Sequence, residues 1–191
     1  MKTLAVLVIL LLVSPVAQAA SIRLYTDPGA GGDVLHIGAQ EVATIYVFAH
    51  SDAADPIGGF VDAGEFRIVG LPTEWAASAT QDPAMNVAIG NAVSDGVTFA
   101  WPTAQFGTIP LFSILLVATT EEEDVLLQVV QHVNPSTHFG GQVLQCPWLH
   151  FFCAGPCDIS GFCVDGGVLS VNPRGLPVEG TSWSRVRTLY K

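Results

Sequence analysis

The feature that most constrains this chain is a series of short β-prone runs between glycine- and proline-rich breaks, with helical periodicity nearly absent. Residues 21–26 (SIRLYT) form the first run and stop at the breaker DPGAGGD, residues 27–33. Residues 42–49 (VATIYVFA) are apolar on both faces and rich in β-branched and aromatic side chains, as a central strand is. Residues 60–69 alternate around Gly64: Phe66 and Ile68 point one way, Glu65, Arg67 and Val69 the other. Gly70, Leu71 and Pro72 end that run. Shorter runs follow at 76–80, 86–89 and 97–101, then stronger ones at 111–118 and 125–133. Runs at 159–164 and 168–171 close the series. The acidic tetrad Glu121, Glu122, Glu123 and Asp124 separates the two strongest runs and is expected as an exposed hairpin loop. Strands about ten residues apart with Gly/Pro punctuation predict an all-β, antiparallel β-sandwich.

One helix is expected, a short C-terminal one near residues 181–190. Thr181 or Ser182 caps it, and Trp183, Val186, Leu189 and Tyr190 recur at helical spacing. Arg185, Arg187 and Lys191 suit its other face and its C-terminal end. The stripe reads as a clasp docked on the sandwich.

Residues 1–19 read as a signal peptide. Lys2 supplies the positive start, residues 4–13 (LAVLVILLLV) are unbroken apolar, Ser14 and Pro15 break the run, and Ala17 and Ala19 are the small residues of a cleavage site. Ten apolar residues are too few for a bilayer, which needs about 20. Residues 109–118 carry Pro110 and Ser113 and read as a buried strand, so no membrane anchor is expected. Residues 20–191 are then one domain, secreted to the periplasm or the medium.

All 17 acidic residues lie beyond residue 19, against six of the seven Lys and Arg. No Lys or Arg occurs between Arg67 and Arg174. Such a surface repels phosphate backbones, which argues against nucleic-acid partners and anionic membranes.

Cys146, Cys153, Cys157 and Cys163 crowd into one excursion, residues 146–163. Export and an even count favour disulfides. Three pairings exist, and a nested one, Cys146 with Cys163 around Cys153 with Cys157, suits an excursion that leaves and returns at one place. Its apolar tip carries Trp148, Phe151 and Phe152, a candidate binding surface. The cysteine spacing lacks the paired C-x2-C knuckles of structural zinc, although His132, His138 and His150 lie nearby in sequence.

No G-x-S-x-G, H-E-x-x-H, P-loop or dinucleotide fingerprint occurs. No catalytic or cofactor-binding residue is therefore assigned, and no cofactor is expected. The tetrad at 121–124 and the loop with Asp52 and Asp55 are candidate Ca²⁺ ligands, but neither matches an EF-hand and solvated loop charge explains both.

Residues 63–72 (AGEFRIVGLP), with Trp75, resemble a segment of cohesin-like β-sandwiches and of small uncharacterised secreted bacterial proteins. Gln131 with His132, residues 163–167 (CVDGG) and residues 181–190 (TSWSRVRTLY) are similar to the latter group. The resemblance implies a cohesin-like or Ig-like sandwich that associates with protein or carbohydrate at a sheet face, without catalysis; no dockerin-type calcium repeat is present. The expected function is a secreted, non-catalytic binding or structural module for an extracellular protein or carbohydrate. The alternatives are a secreted hydrolase using paired carboxylates or a His-based metal site, and a Ca²⁺-dependent adhesion module.

Overall fold

A computed structural model describes residues 20–51, 59–135, 145–151 and 161–174. They form thirteen strands and no helix. The expected helix near 181–190 lies outside the described residues.

One sheet contains β1 (Ser21–Tyr25), β3 (Glu41–His50), β5 (Ala76–Gln81), β8 (Thr108–Ala118) and β12 (Asp165–Gly166), in the order β12-β1-β3-β8-β5. The other contains β2 (Val34–Leu35), β4 (Val61–Val69), β6 (Val87–Asn91), β7 (Gly96–Gln105), β9 (Val125–Val130), β10 (Trp148–Phe151), β11 (Phe162–Cys163) and β13 (Val168–Val171). Its main order is β11-β10-β4-β9-β13-β2, and β7 pairs with both β4 and β6. The strand β4 is shared: Val61 to Phe66 pair with β7, and Arg67, Ile68 and Val69 pair with β9.

The two sheets bury one core between them. Ile22, Leu24, Ile45, Val47, Ile114 and Leu116 come from the first sheet; Phe66, Phe99, Leu127, Leu149 and Leu169 come from the second. Each such side chain contributes about 1.5–3 kcal/mol by leaving water. The Phe66 ring meets Phe99 and Phe112 edge-on, each at 5.9 Å between centroids, and Phe99 meets Trp101 at 5.2 Å. Edge-to-face contact is the arrangement that aromatic quadrupoles favour.

Three expectations need correction. The sandwich is mixed rather than wholly antiparallel, because β1 with β12 and β13 with β2 are parallel pairs. The acidic tetrad is not a hairpin loop: β8 pairs with β3 and β5, and β9 with β4 and β13, so residues 119–124 carry the chain from one sheet to the other. The cysteine region is not only an excursion, because β10 is an integral strand beside β4.

Candidate functional site

The cysteine region resolves into a sheet element. Cys146 and Cys163 form a disulfide with Cα atoms 5.5 Å apart. Trp148 pairs with Cys163 and Leu149 with Phe162, and the Val164 N–H donates to the Pro147 carbonyl at 2.9 Å. On its other edge β10 pairs with β4, Leu149 opposite Gly64. Trp148 and Phe151 are therefore not an exposed tip: they are only 6% and 3% exposed, and the Phe151 ring packs edge-on against Phe162 at 5.7 Å. Phe152, Cys153 and Cys157 lie outside the described residues.

Two histidine–carboxylate pairs flank this strand. His150 Nδ1 lies 2.5 Å from Asp62 Oδ1, with both side chains partly exposed. His132 Nδ1 lies 3.9 Å from Oε1 of the fully buried Glu65, whose Oε2 accepts from Thr98 Oγ1 at 3.3 Å. The Asn134 N–H donates to His132 Nδ1 at 3.0 Å, so that nitrogen carries a lone pair and not a proton. The His150–Asp62 contact orients that imidazole, and the Asn134 N–H orients His132. Making either a catalytic base needs a substrate proton within about 2.6–3.2 Å. Among the described residues no group of three or more His, Cys, Asp or Glu side chains converges as metal ligands do. Glu123 and Asp124 of the tetrad are engaged by Arg174, whose N–H donates to Asp124 Oδ1 at 2.7 Å and whose Nε donates to Glu123 Oε2 at 2.5 Å. His138, Asp52 and Asp55 lie outside the described residues.

The outer face of the first sheet is the clearest candidate surface. Strand alternation turns every second residue outward, and the register of β3, β8 and β5 stacks these into three rows. Val42, Val117 and Ala76 form one row; Thr44, Leu115 and Ser78 the next; Tyr46, Ser113 and Thr80 the third. None of the nine is charged, in a chain of net charge −10. Val42 is 59% and Leu115 45% exposed. The outward positions of β4 and β10 differ: Glu65 and Trp148 stand opposite each other there and both are buried.

At the far end of the first sheet the face becomes polar. His50 Nε2 shares a 2.8 Å hydrogen bond with the Tyr25 hydroxyl, and Nδ1 lies 3.3 Å from Thr108 Oγ1. Burial, and then the nearby Arg23 charge, hold the His50 pKa below its ordinary value. The sequence gives no signal for this network, because Tyr25, His50 and Thr108 meet only through strand pairing.

Comparison with solved structures decides the architecture. A cohesin module from a Clostridium perfringens family 33 glycoside hydrolase superposes with a TM-score of 0.52, covering 82% of this chain and 99% of that one at 9% identity. The seventh ScaB type I cohesin from Pseudobacteroides cellulosolvens superposes with a TM-score of 0.50, covering 84% and 96% at 7% identity. The fold is cohesin-like. At these identities the likeness concerns the fold alone. No protein-family model matches the chain, and no curated protein matches it. On this cohesin-like sandwich the β3–β8–β5 rows form an outer surface without a charged residue, and the disulfide closes the β10–β11 pair on the other sheet.

Proposed function

We propose that this chain is a secreted, non-catalytic binding module that docks an extracellular protein partner on the outer face of β3, β8 and β5. The observation that carries the reading is that face: three cross-strand rows without a charged residue, with Val42 and Leu115 exposed, on a strongly acidic chain. Interface centres are depleted in charge and their rims are polar. Here Glu74, exposed ahead of β5, supplies an acidic edge at one end. The partner is then apolar at its centre and basic at one edge, which also speeds encounter at low salt. The cohesin-like fold supports association at a sheet face, and the Cys146–Cys163 disulfide supports an oxidising compartment.

The test is a partner screen of immobilised protein against extracellular proteins, run in parallel with Leu115→Arg and with Leu126→Arg. Leu126 is exposed on β9 of the opposite sheet and serves as the charge control. A partner retained by the wild type and by Leu126→Arg, but lost with Leu115→Arg at unchanged Tm, is the expected result. Retention that ignores Leu115→Arg contradicts the proposal.

A further inference from the structure

The sandwich opens at one corner, where the chain changes sheets. Residues 165 and 166 pair with β1 in the first sheet, and residues 168–171 pair with β9 in the second. Gly167 is the crossing point: its N–H donates to the Ile22 carbonyl at 2.8 Å, and its carbonyl accepts from the Val129 N–H at 3.0 Å. A side chain there would stand 2.9 Å from Arg23 Cγ and 3.0 Å from Arg23 Cα, so only glycine allows so close a crossing. Beyond Ile22, β1 has no paired strand on this edge among the described residues. Alternation along an antiparallel ladder turns the Leu24 backbone to the same open edge as Ile22.

The result is a cleft of about 360 Å³, lined by residues 23–25, Gly32, Asp33, Gly167 and Val168. That is the small end of the range for ligand pockets, about 300–1,000 Å³. Its walls are pinned by backbone hydrogen bonds: Thr26 to Gly32 at 3.1 Å, Asp27 to Gly31 at 3.0 Å, and Ser170 to the Asp33 carbonyl at 3.0 Å. Its side chains are also held in place. Arg23 Nε donates to Oγ of the buried Ser21 at 3.1 Å, and its Nη2 lies 3.6 Å from Asp165. The Tyr25 hydroxyl is fixed by His50.

The chemistry of this lining selects a ligand class. Arg23 brings five N–H donors, of which Ser21 takes one. Asp33 brings acceptors, Tyr25 an aromatic ring held edge-on by Phe48 and His50, and Leu24 a peptide group that no strand among the described residues pairs on this edge. One cation beside Asp33 and Asp165 leaves no surplus positive charge to hold an anion. Donors and acceptors side by side, with an aromatic surface and a net negative lining that turns anions away, match a polyhydroxylated neutral molecule. We infer that the cleft is a carbohydrate subsite for a neutral sugar ring, with Arg23 and Asp33 hydrogen-bonding its hydroxyls and Tyr25 carrying its apolar face. This site adjoins the β3–β8–β5 face, since Tyr25 pairs with Tyr46, but it does not rest on the protein-partner reading.

The test is an amide-resolved NMR titration of the mature chain with glucose, galactose, mannose, N-acetylglucosamine and cellobiose. Galacturonic acid serves as the charged control and a short neutral peptide as the strand-edge control. At least one neutral sugar should shift the Leu24, Gly32 and Gly167 amides with a Kd in the millimolar range. Arg23→Gln and Asp33→Asn, each with retained spectral dispersion, should weaken it at least tenfold, and Leu115→Arg should leave it unchanged. No sugar response at these amides overturns the inference. So does a response to galacturonic acid or peptide alone, or one that survives both cleft variants.

Discussion

At the scale of single residues, what the chain leaves out matters as much as what it carries. Gly64 sits in the middle of β4, where a Cβ would lie 2.5 Å from Phe99 Cζ and 2.8 Å from Leu149 Cδ2. Gly64→Ala is therefore expected to cost about 1–3 kcal/mol by overpacking, read as a lower midpoint in thermal or chemical melts; an unchanged midpoint contradicts that packing. His50 makes stability depend on pH. Its folded-state pKa is held below 6.5, so on acidification the unfolded chain takes up the proton first. This contribution is complete above the unfolded pKa of about 6.5 and is lost as pH falls through the folded pKa. His50→Gln should flatten that part of the stability–pH curve, and an equally steep acid limb in the variant argues against it. Alternation correctly assigned Phe66 and Ile68 to the core side and Glu65 to the other, yet Glu65 is fully buried. That was illegible because Thr98 and His132, which lie beside it, are more than 30 residues away in sequence.

At the scale of elements, the long strands were legible because β-branched and apolar runs mark them wherever they pair. The run at 42–49 became Glu41–His50, and the run at 111–118 became Thr108–Ala118. Short strands that exist only through their partners were not legible. Val34–Leu35 and Asp165–Gly166 are two residues each, and their register comes from β13 and β1. Trp148–Phe151 was hidden by its cysteine-rich setting, since its main partner, β4, lies more than 80 residues earlier. The disulfide thus closes a strand pair whose inner edge is in the main sheet. With its cysteines 17 positions apart in sequence, loop-closure entropy gives it about 3 kcal/mol. Replacing Cys146 and Cys163 together by Ser should lower the unfolding free energy by about that amount, read as a lower denaturation midpoint, and leave one cooperative transition. The reason is that β3, β4, β8 and β9, which carry much of the core, contain no cysteine. Complete loss of the folded signal in the double variant would show that the staple, and not burial, holds the sandwich together.

At the scale of the whole molecule, the sandwich class was legible from strand spacing, and the cohesin-like resemblance agrees with the solved structures. The candidate surface was not. Val42, Leu115 and Ser78 belong to three separate runs, and only the register of β3, β8 and β5 brings them onto one uncharged face. Of the aromatic residues that the sequence offered, Phe151 joins the core and Trp148 is buried on the outer side of β10. The corner cleft was equally hidden, because it arises where one segment leaves β1 for β9 at Gly167. The most direct measurement of the central claim is side-chain hydroxyl-radical footprinting of the chain, alone and with a partner retained in the screen. Val42, Leu115 and Val117 should lose at least severalfold reactivity in the complex, while Ile89 and Leu126 on the opposite sheet stay as reactive as in the free chain. Protection confined to Ile89 and Leu126, with Val42 and Leu115 unchanged, would contradict the assignment of the β3–β8–β5 face.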